Sequence, residues 1–225
     1  GFDPAKHPPY LTMALGAGTV TPMQMLRGYS TFANGGYKIT PYFIDRIEDD
    51  RGNVLSKTTP LAVGAGAEQI IDTRNAFTMV SMMQDVVKHG TAIRAMQLGR
   101  QDLAGKTGTT SDSIDAWFCG FQPTVVGISW IGFDQPRSLG DKETGGGAAL
   151  PMWMNYMKVA LKDVPQATYS VPDGIVTARI NEAGQRDENG ARTEYFYSEN
   201  LPNTHVMPST NSAEPATETI KDQLF

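Results

Sequence analysis

Two apolar segments separated by two residues constrain this chain more than any other feature. Ile114-Asp115-Ala116-Trp117-Phe118-Cys119-Gly120-Phe121 and Thr124-Val125-Val126-Gly127-Ile128-Ser129-Trp130-Ile131-Gly132-Phe133 flank Gln122-Pro123. So tight a connection predicts an antiparallel pair. Both segments are apolar at most positions on both faces, so the sheet they build must be covered on both sides. A third strand signal, Leu103 to Gly108, lies just upstream. Cys119, in the middle of a strand, reads as a buried small hydrophobe rather than a nucleophile.

The covers are legible as helices. Thr21-Pro22 combines an N-cap hydroxyl with proline at the first helical position. Met23, Leu26, Tyr29, Ser30 and Ala33 follow at helical spacing, and Asn34-Gly35-Gly36 ends the run. Asp72 caps a second helix with the stripe Phe77, Val80, Met83, Val86 and Val87, ended by Gly90; its methionines read as core filler. Thr91-Ala92-Ile93 starts a short third helix, which ends near Gly99. Pro151 opens a last helix, with Met152, Tyr156, Val159 and Ala160 on its apolar face.

Elsewhere the signals are sparser. Residues 1–20 and 57–68 read as loops. Tyr37-Lys38-Ile39 and Tyr42-Phe43-Ile44 with Ile47 read as strands, with a polar turn at Asp50-Arg51-Gly52-Asn53 before Val54-Leu55. Residues 164–200 have room for a strand or two, such as Gly174 to Ile180. Residues 202–225 are rich in Pro, Ser, Thr, Asn and Glu and read as an exposed tail.

Composition narrows function by exclusion. Nineteen Lys and Arg against 24 Asp and Glu leave a net charge of −5, which argues against a nucleic-acid binder. A single Cys rules out an internal disulfide and a multi-thiolate metal centre, and His7, His89 and His205 share no ligand-like spacing. No metal or other cofactor is expected. No apolar run approaches the roughly 20 residues of a membrane span. The chain starts at Gly1 without a signal peptide, so it reads as a cytosolic domain or as a fragment whose targeting signal lies elsewhere.

Chemistry concentrates at Ala104-Gly105-Lys106-Thr107-Gly108-Thr109-Thr110. A Lys-Thr-Gly triplet alone carries little, since chance supplies one in about twenty chains of this size. Its place at the end of a strand carries more. Flanking glycines clear the approach. A cation, two hydroxyls and backbone N–H groups then meet at one spot, where they can recognise a carboxylate and polarise an acyl carbonyl. The competing reading of Lys106 is a solvated lysine in a turn between strands.

Lys106-Thr107-Gly108 resembles the third motif of penicillin-binding proteins and serine β-lactamases. Further blocks resemble the bifunctional class A penicillin-binding proteins. They are Leu15-Gly16, Val20 to Met25, Phe32-Ala33-Asn34-Gly35-Gly36, Gly90-Thr91-Ala92, Asp115-Ala116-Trp117-Phe118, Trp130 to Asp134 and Glu143-Thr144-Gly145-Gly146. The likeness runs in order over roughly residues 10–162. It implies an α/β fold of the penicillin-binding protein and serine β-lactamase type, an antiparallel sheet flanked by helices on both faces, of which this chain holds the C-terminal part. The family's first two strands would lie upstream. Residues 1–163 would be the C-terminal portion of the transpeptidase domain, and 164–225 a partly flexible extension.

The resemblance implies a peptidoglycan D,D-transpeptidase, with a serine as nucleophile, D-Ala-D-Ala stem peptides as substrates and β-lactams as inhibitors. Lys106 would supply positive potential and help proton traffic. The Thr107 and Thr109 hydroxyls would bind the substrate carboxylate, and the Thr109 N–H would be half of the oxyanion hole. Gly108 would stay small beside the acyl group, and Thr144 would line the cleft. No Ser-x-x-Lys occurs here, and Ser198-Glu199-Asn200, downstream of Lys106 in a polar segment, reads as an accidental Ser-x-Asn. Both missing motifs are expected in a preceding part of the same protein, with a glycosyltransferase domain further upstream. The expected location is the periplasmic face of the bacterial inner membrane, with the anchor outside this chain. The alternative is a non-catalytic penicillin- or peptide-binding sensor on the same fold. The blocks around residues 15–36 disfavour a β-lactamase.

Overall fold

The computed structural model describes residues 2–204. Contacts divide the chain into two units, with the boundary after Ile175. The tail expected at 202–225 lies outside the described residues from position 205 onward, as does His205.

The first unit opens with a 3₁₀ turn, Leu11–Leu15, inside the stretch expected to be loop. Helix α1, Pro22–Ala33, starts on a reciprocal cap: Gln24 N–H donates to Thr21 Oγ1 at 3.2 Å, and Thr21 N–H donates to Gln24 Oε1 at 2.8 Å. The strands expected at 37–39 and 42–44 do not form, apart from a single bridge from Tyr37 to Gln69. Strand β1 is instead Arg46–Glu48, paired antiparallel with β2, Val54–Lys57. The turn between them was legible because it is local: Asp49 Oδ1 accepts the N–H groups of Arg51 and Asn53.

Helix α2, Thr73–Lys88, is capped by Asp72, whose carboxylate accepts the Arg74 N–H at 3.0 Å. A 3₁₀ stretch, Ile93–Leu98, follows and ends at Gly99. Strands β3, Ala104–Thr109, β4, Ala116–Gln122, and β5, Val125–Ile131, form an antiparallel sheet in that order. A π-helical turn, Gly145–Ala149, leads into α3, Leu150–Ala160.

Core residues sit on both faces of this sheet, as its apolar strands demand. Phe118, Ala116 and Leu103 pack with Ala149, Leu150, Trp153 and Met157 on one side. Ala104 and Phe121 pack with Ala33, Val80 and Met83 from α1 and α2 on the other. Gly120 and Gly127 are cross-strand partners, and their missing side chains leave the slot that Trp153 fills. A Cβ on Gly120 would stand 2.7 Å from the Trp153 ring. The indole Nε1 donates to Gly127 O at 3.1 Å and Gly120 O at 3.3 Å, so the buried ring keeps a polar partner.

Residues 164–167 are fastened to the rest of the first unit by a buried ion pair. Arg100 holds Asp102 in a two-pronged contact, Nε to Oδ1 at 2.9 Å and Nη2 to Oδ2 at 2.6 Å. The same guanidinium donates to Val164 O at 2.8 Å and Pro165 O at 3.1 Å, and Asp102 accepts the Ala167 N–H at 3.1 Å. The segment 164–167 is thereby strapped to the residues just ahead of β3. Strand β6, Ile175–Ile180, matches the strand expected at 174–180, and β7, Arg192–Tyr197, pairs with it.

Candidate functional site

The residues singled out by the sequence lie on β3, at the edge of the three-stranded sheet. Its register with β4 is Lys106 to Cys119, Thr107 to Phe118, Gly108 to Trp117 and Thr109 to Ala116. Just beyond the strand, Thr110 N–H donates to Asp115 O at 3.1 Å. Along an antiparallel ladder N–H groups alternate in direction. The Thr109 and Thr107 N–H groups therefore face away from β4, toward the edge that no other described strand occupies.

Side chains alternate as well. Thr107 and Thr109 share the face that carries Phe118 and α3. Lys106 and Gly108 share the face that α1 and α2 cover further down the strand. Lys106 is exposed, and its ammonium donates to Thr107 O at 2.9 Å. Gly108 is partly exposed, and a Cβ there would meet Trp117 Cβ at 3.3 Å.

Both threonine hydroxyls are supported from behind. Thr107 Oγ1 lies 2.8 Å from Thr91 Oγ1, in the turn that ends α2. Thr109 Oγ1 accepts the Gly145 N–H at 3.0 Å. An amide can only donate, so Thr109 keeps its own proton free to point outward. Gly145 is buried, and a Cβ on it would stand 2.6 Å from Gly108 O, so only glycine brings that N–H so close.

Thr144 sits beside this arrangement. Its hydroxyl accepts the Gly147 N–H at 3.1 Å, and so caps the glycine-rich turn that presents Gly145. Ser198 lies in the second unit, where its hydroxyl meets Glu199 at 3.1 Å.

Cys119 is 2% exposed, and burial pushes its thiol up to about 12, so it stays protonated and unreactive. Burial likewise raises the neighbouring Tyr29 hydroxyl. At the Thr109 end of the sheet, Trp130 Nε1 donates to Asp115 Oδ1 at 2.8 Å, fixing the turn between β3 and β4.

Reading the sequence alone assigned no role to Thr91 or Gly145. The signal for both was present, in Gly90-Thr91-Ala92 and in Thr144-Gly145-Gly146-Gly147. The arrangement as a whole offers two hydroxyls, two outward N–H groups and one ammonium along a bare strand edge. Such a set accepts an extended acyl ligand that carries a carboxylate.

Comparison with known proteins agrees with this geometry. The family described as "Penicillin binding protein transpeptidase domain" matches residues 8–157. Penicillin-binding protein 1A of Neisseria flavescens is 51% identical over 177 residues, which cover 79% of this chain and 22% of that protein. The crystal structure of penicillin-binding protein 1A from Haemophilus influenzae superimposes with a TM-score of 0.86 at 33% identity, over 92% of this chain and 36% of that one. PonA1 of Mycobacterium tuberculosis, solved in complex with penicillin V, gives a TM-score of 0.59 at 25% identity, over 72% of this chain and 44% of that one. The chain thus spans about a fifth of the length of the Neisseria relative.

Proposed function

This chain belongs to the penicillin-binding protein transpeptidase family, and we propose that the full-length protein is a peptidoglycan D,D-transpeptidase inhibited by β-lactams. The observation that carries the reading is the open edge of β3, where Thr107 and Thr109 present hydroxyls and N–H groups beside Lys106.

In this reading a serine from the preceding part of the protein attacks the carbonyl of the D-Ala-D-Ala peptide bond. An ester bond forms between the serine Oγ and the acyl carbon, the peptide C–N bond breaks, and D-Ala leaves with its amine carrying the proton that the serine gave up. An amine of a second stem peptide then takes the acyl group and frees the serine. The Thr109 N–H stabilises the oxyanion on the edge of β3, and the two hydroxyls hold the terminal carboxylate. Lys106 adds positive potential and serves proton transfer near the nucleophile. Gly108 leaves room for the acyl group, and Thr144 shapes the rim.

Residues 1–163 supply the C-terminal portion of the transpeptidase domain, and 164–225 form an extension of it. In this reading Ser-x-x-Lys, Ser-x-Asn, a membrane anchor and a glycosyltransferase domain belong to the preceding part of the protein, and the site works on the periplasmic side of the inner membrane. No described helix is long and apolar enough to cross a membrane. The penicillin complex of PonA1 supports β-lactam as a ligand here too. The sensor alternative is not favoured, because the relatives bear transpeptidase and penicillin-binding names.

The test is covalent labelling of the full-length protein with a fluorescent penicillin. Labelling on a Ser-x-x-Lys serine, slowed in Lys106→Ala, is the expected result. A full-length protein that takes no label, or a Lys106→Ala variant that labels at the wild-type rate, overturns it.

A further inference from the structure

We propose that Thr91 is a positioning residue which orients the Thr107 hydroxyl toward the carboxylate of the ligand; this rests on the transpeptidase reading above. Thr91 and Thr107 are 16 positions apart, and their hydroxyl oxygens lie 2.8 Å apart, so one must donate to the other. A carboxylate can only accept, and a hydroxyl has one proton. When Thr107 gives its proton to a carboxylate, its bond to Thr91 survives only if Thr91 is the donor. The chain of bonds then runs one way, from Thr91 to Thr107 to ligand.

The neighbouring hydroxyl repeats the pattern with its direction fixed. Thr109 Oγ1 accepts from the Gly145 amide, which has no other role than donor. Two hydroxyls on one face of β3 are each fed a proton from behind, and each is free to donate outward. Aligned bonds of this kind polarise one another and strengthen the outermost one.

Thr91 is well placed to hold a direction. Its turn is pinned where Ala92 N–H donates to Val86 O at 3.1 Å and Ile93 N–H donates to Gly90 O at 3.2 Å. Gly146 lies against it, close enough that a Cβ there would stand 3.2 Å from Thr91 O. The Thr91 side chain itself is exposed, so removing its hydroxyl leaves no cavity in the core.

The experiment is stopped-flow acylation of the full-length protein by benzylpenicillin and by its methyl ester, which lacks the charged carboxylate. Thr91→Val, nearly isosteric, is expected to lower the second-order acylation rate constant for benzylpenicillin roughly three- to tenfold, the loss of one hydrogen bond. The loss should lie in the binding constant rather than in the limiting acylation rate. Thr91→Ser should restore it, and the methyl ester should react alike with wild type and Thr91→Val. Equal losses on acid and ester, a loss confined to the limiting rate, or no loss at all would overturn the inference while leaving the transpeptidase reading intact. A wild-type protein that reacts with neither compound overturns both.

Discussion

The amide of Gly145 donates to the hydroxyl of Thr109 across 36 positions of sequence, at 3.0 Å. That bond ties the glycine-rich turn ahead of α3 to the tip of the edge strand. It fixes the threonine's polarity as well as its place, because an amide cannot reverse direction.

Gly145→Ala puts a methyl group where Gly108 O already stands 2.6 Å away. The turn must retreat and take its N–H with it. The expected cost is about 1–3 kcal/mol of stability, as for other overpacked sites. Penicillin acylation should fall in parallel, as checked by thermal unfolding and labelling of the full-length protein.

Thr109→Ala keeps the backbone N–H but deletes the outward hydroxyl. A lost hydrogen bond to a charged partner costs about 1.5–3 kcal/mol, so acylation should fall roughly ten- to a hundredfold. Most oxyanion stabilisation should survive. Lys106→Ala should do more damage, since it removes the local positive charge. Rate constants for β-lactam acylation, measured side by side, rank the two.

Asp102 is almost wholly buried and has Arg100 as its ionic partner. Asp102→Ala leaves that guanidinium without its counter-charge, and breaking such a buried pair costs about 3–5 kcal/mol. The strap at 164–167 should loosen too, because Ala167 loses its acceptor. Urea unfolding reads the stability. Limited proteolysis near residue 165 reads the strap, and a cleavage rate unchanged from wild type would refute the coupling.

Cys119 links stability to alkaline pH. The unfolded thiol ionises near its ordinary 9.0, while the folded one keeps its proton until about 12. Below the first value both states hold the proton and stability is indifferent to it. Between the two values only the unfolded chain releases it, so stability falls as pH rises. Tyr29 and Tyr169, also raised by burial, act in the same direction at higher pH. Urea midpoints between pH 8 and 11 should decline less steeply in Cys119→Ala than in wild type. Iodoacetamide at pH 8 should leave the native thiol unmodified.

Much of this was written locally. The caps at Thr21 and Asp72, the turn at Asp49 to Asn53 and the apolar strands β4 and β5 depend on neighbours a few residues away, and all were legible. Tyr42-Phe43-Ile44 misled because an apolar triplet looks like a strand when nothing shows whether a partner exists. Phe43 is 88% exposed, and pairing begins only at Arg46. β7 fills the second strand allowed within 164–200 but was not located, although Tyr195-Phe196-Tyr197 is rich in strand-formers, since its partner lies across a long polar connection. At the candidate site, Lys106, Thr107, Gly108 and Thr109 could be named from their own motif, but the groups that back their side chains could not. Thr91 meets Thr107, and Gly145 meets Thr109, only once the chain has folded back, and no periodicity records such a meeting.

An edge strand that keeps its amides exposed for a ligand offers them to any other extended chain. Unpaired ladder groups are a template for intermolecular pairing, and proteins commonly blunt them with charge. Lys106 is the one charged side chain on β3. Lysine there thus discourages self-association, beside the carboxylate-attracting role proposed for it. On this logic a neutral substitution at Lys106 carries a second liability, aggregation during folding, which light scattering on refolding would register apart from any loss of chemistry.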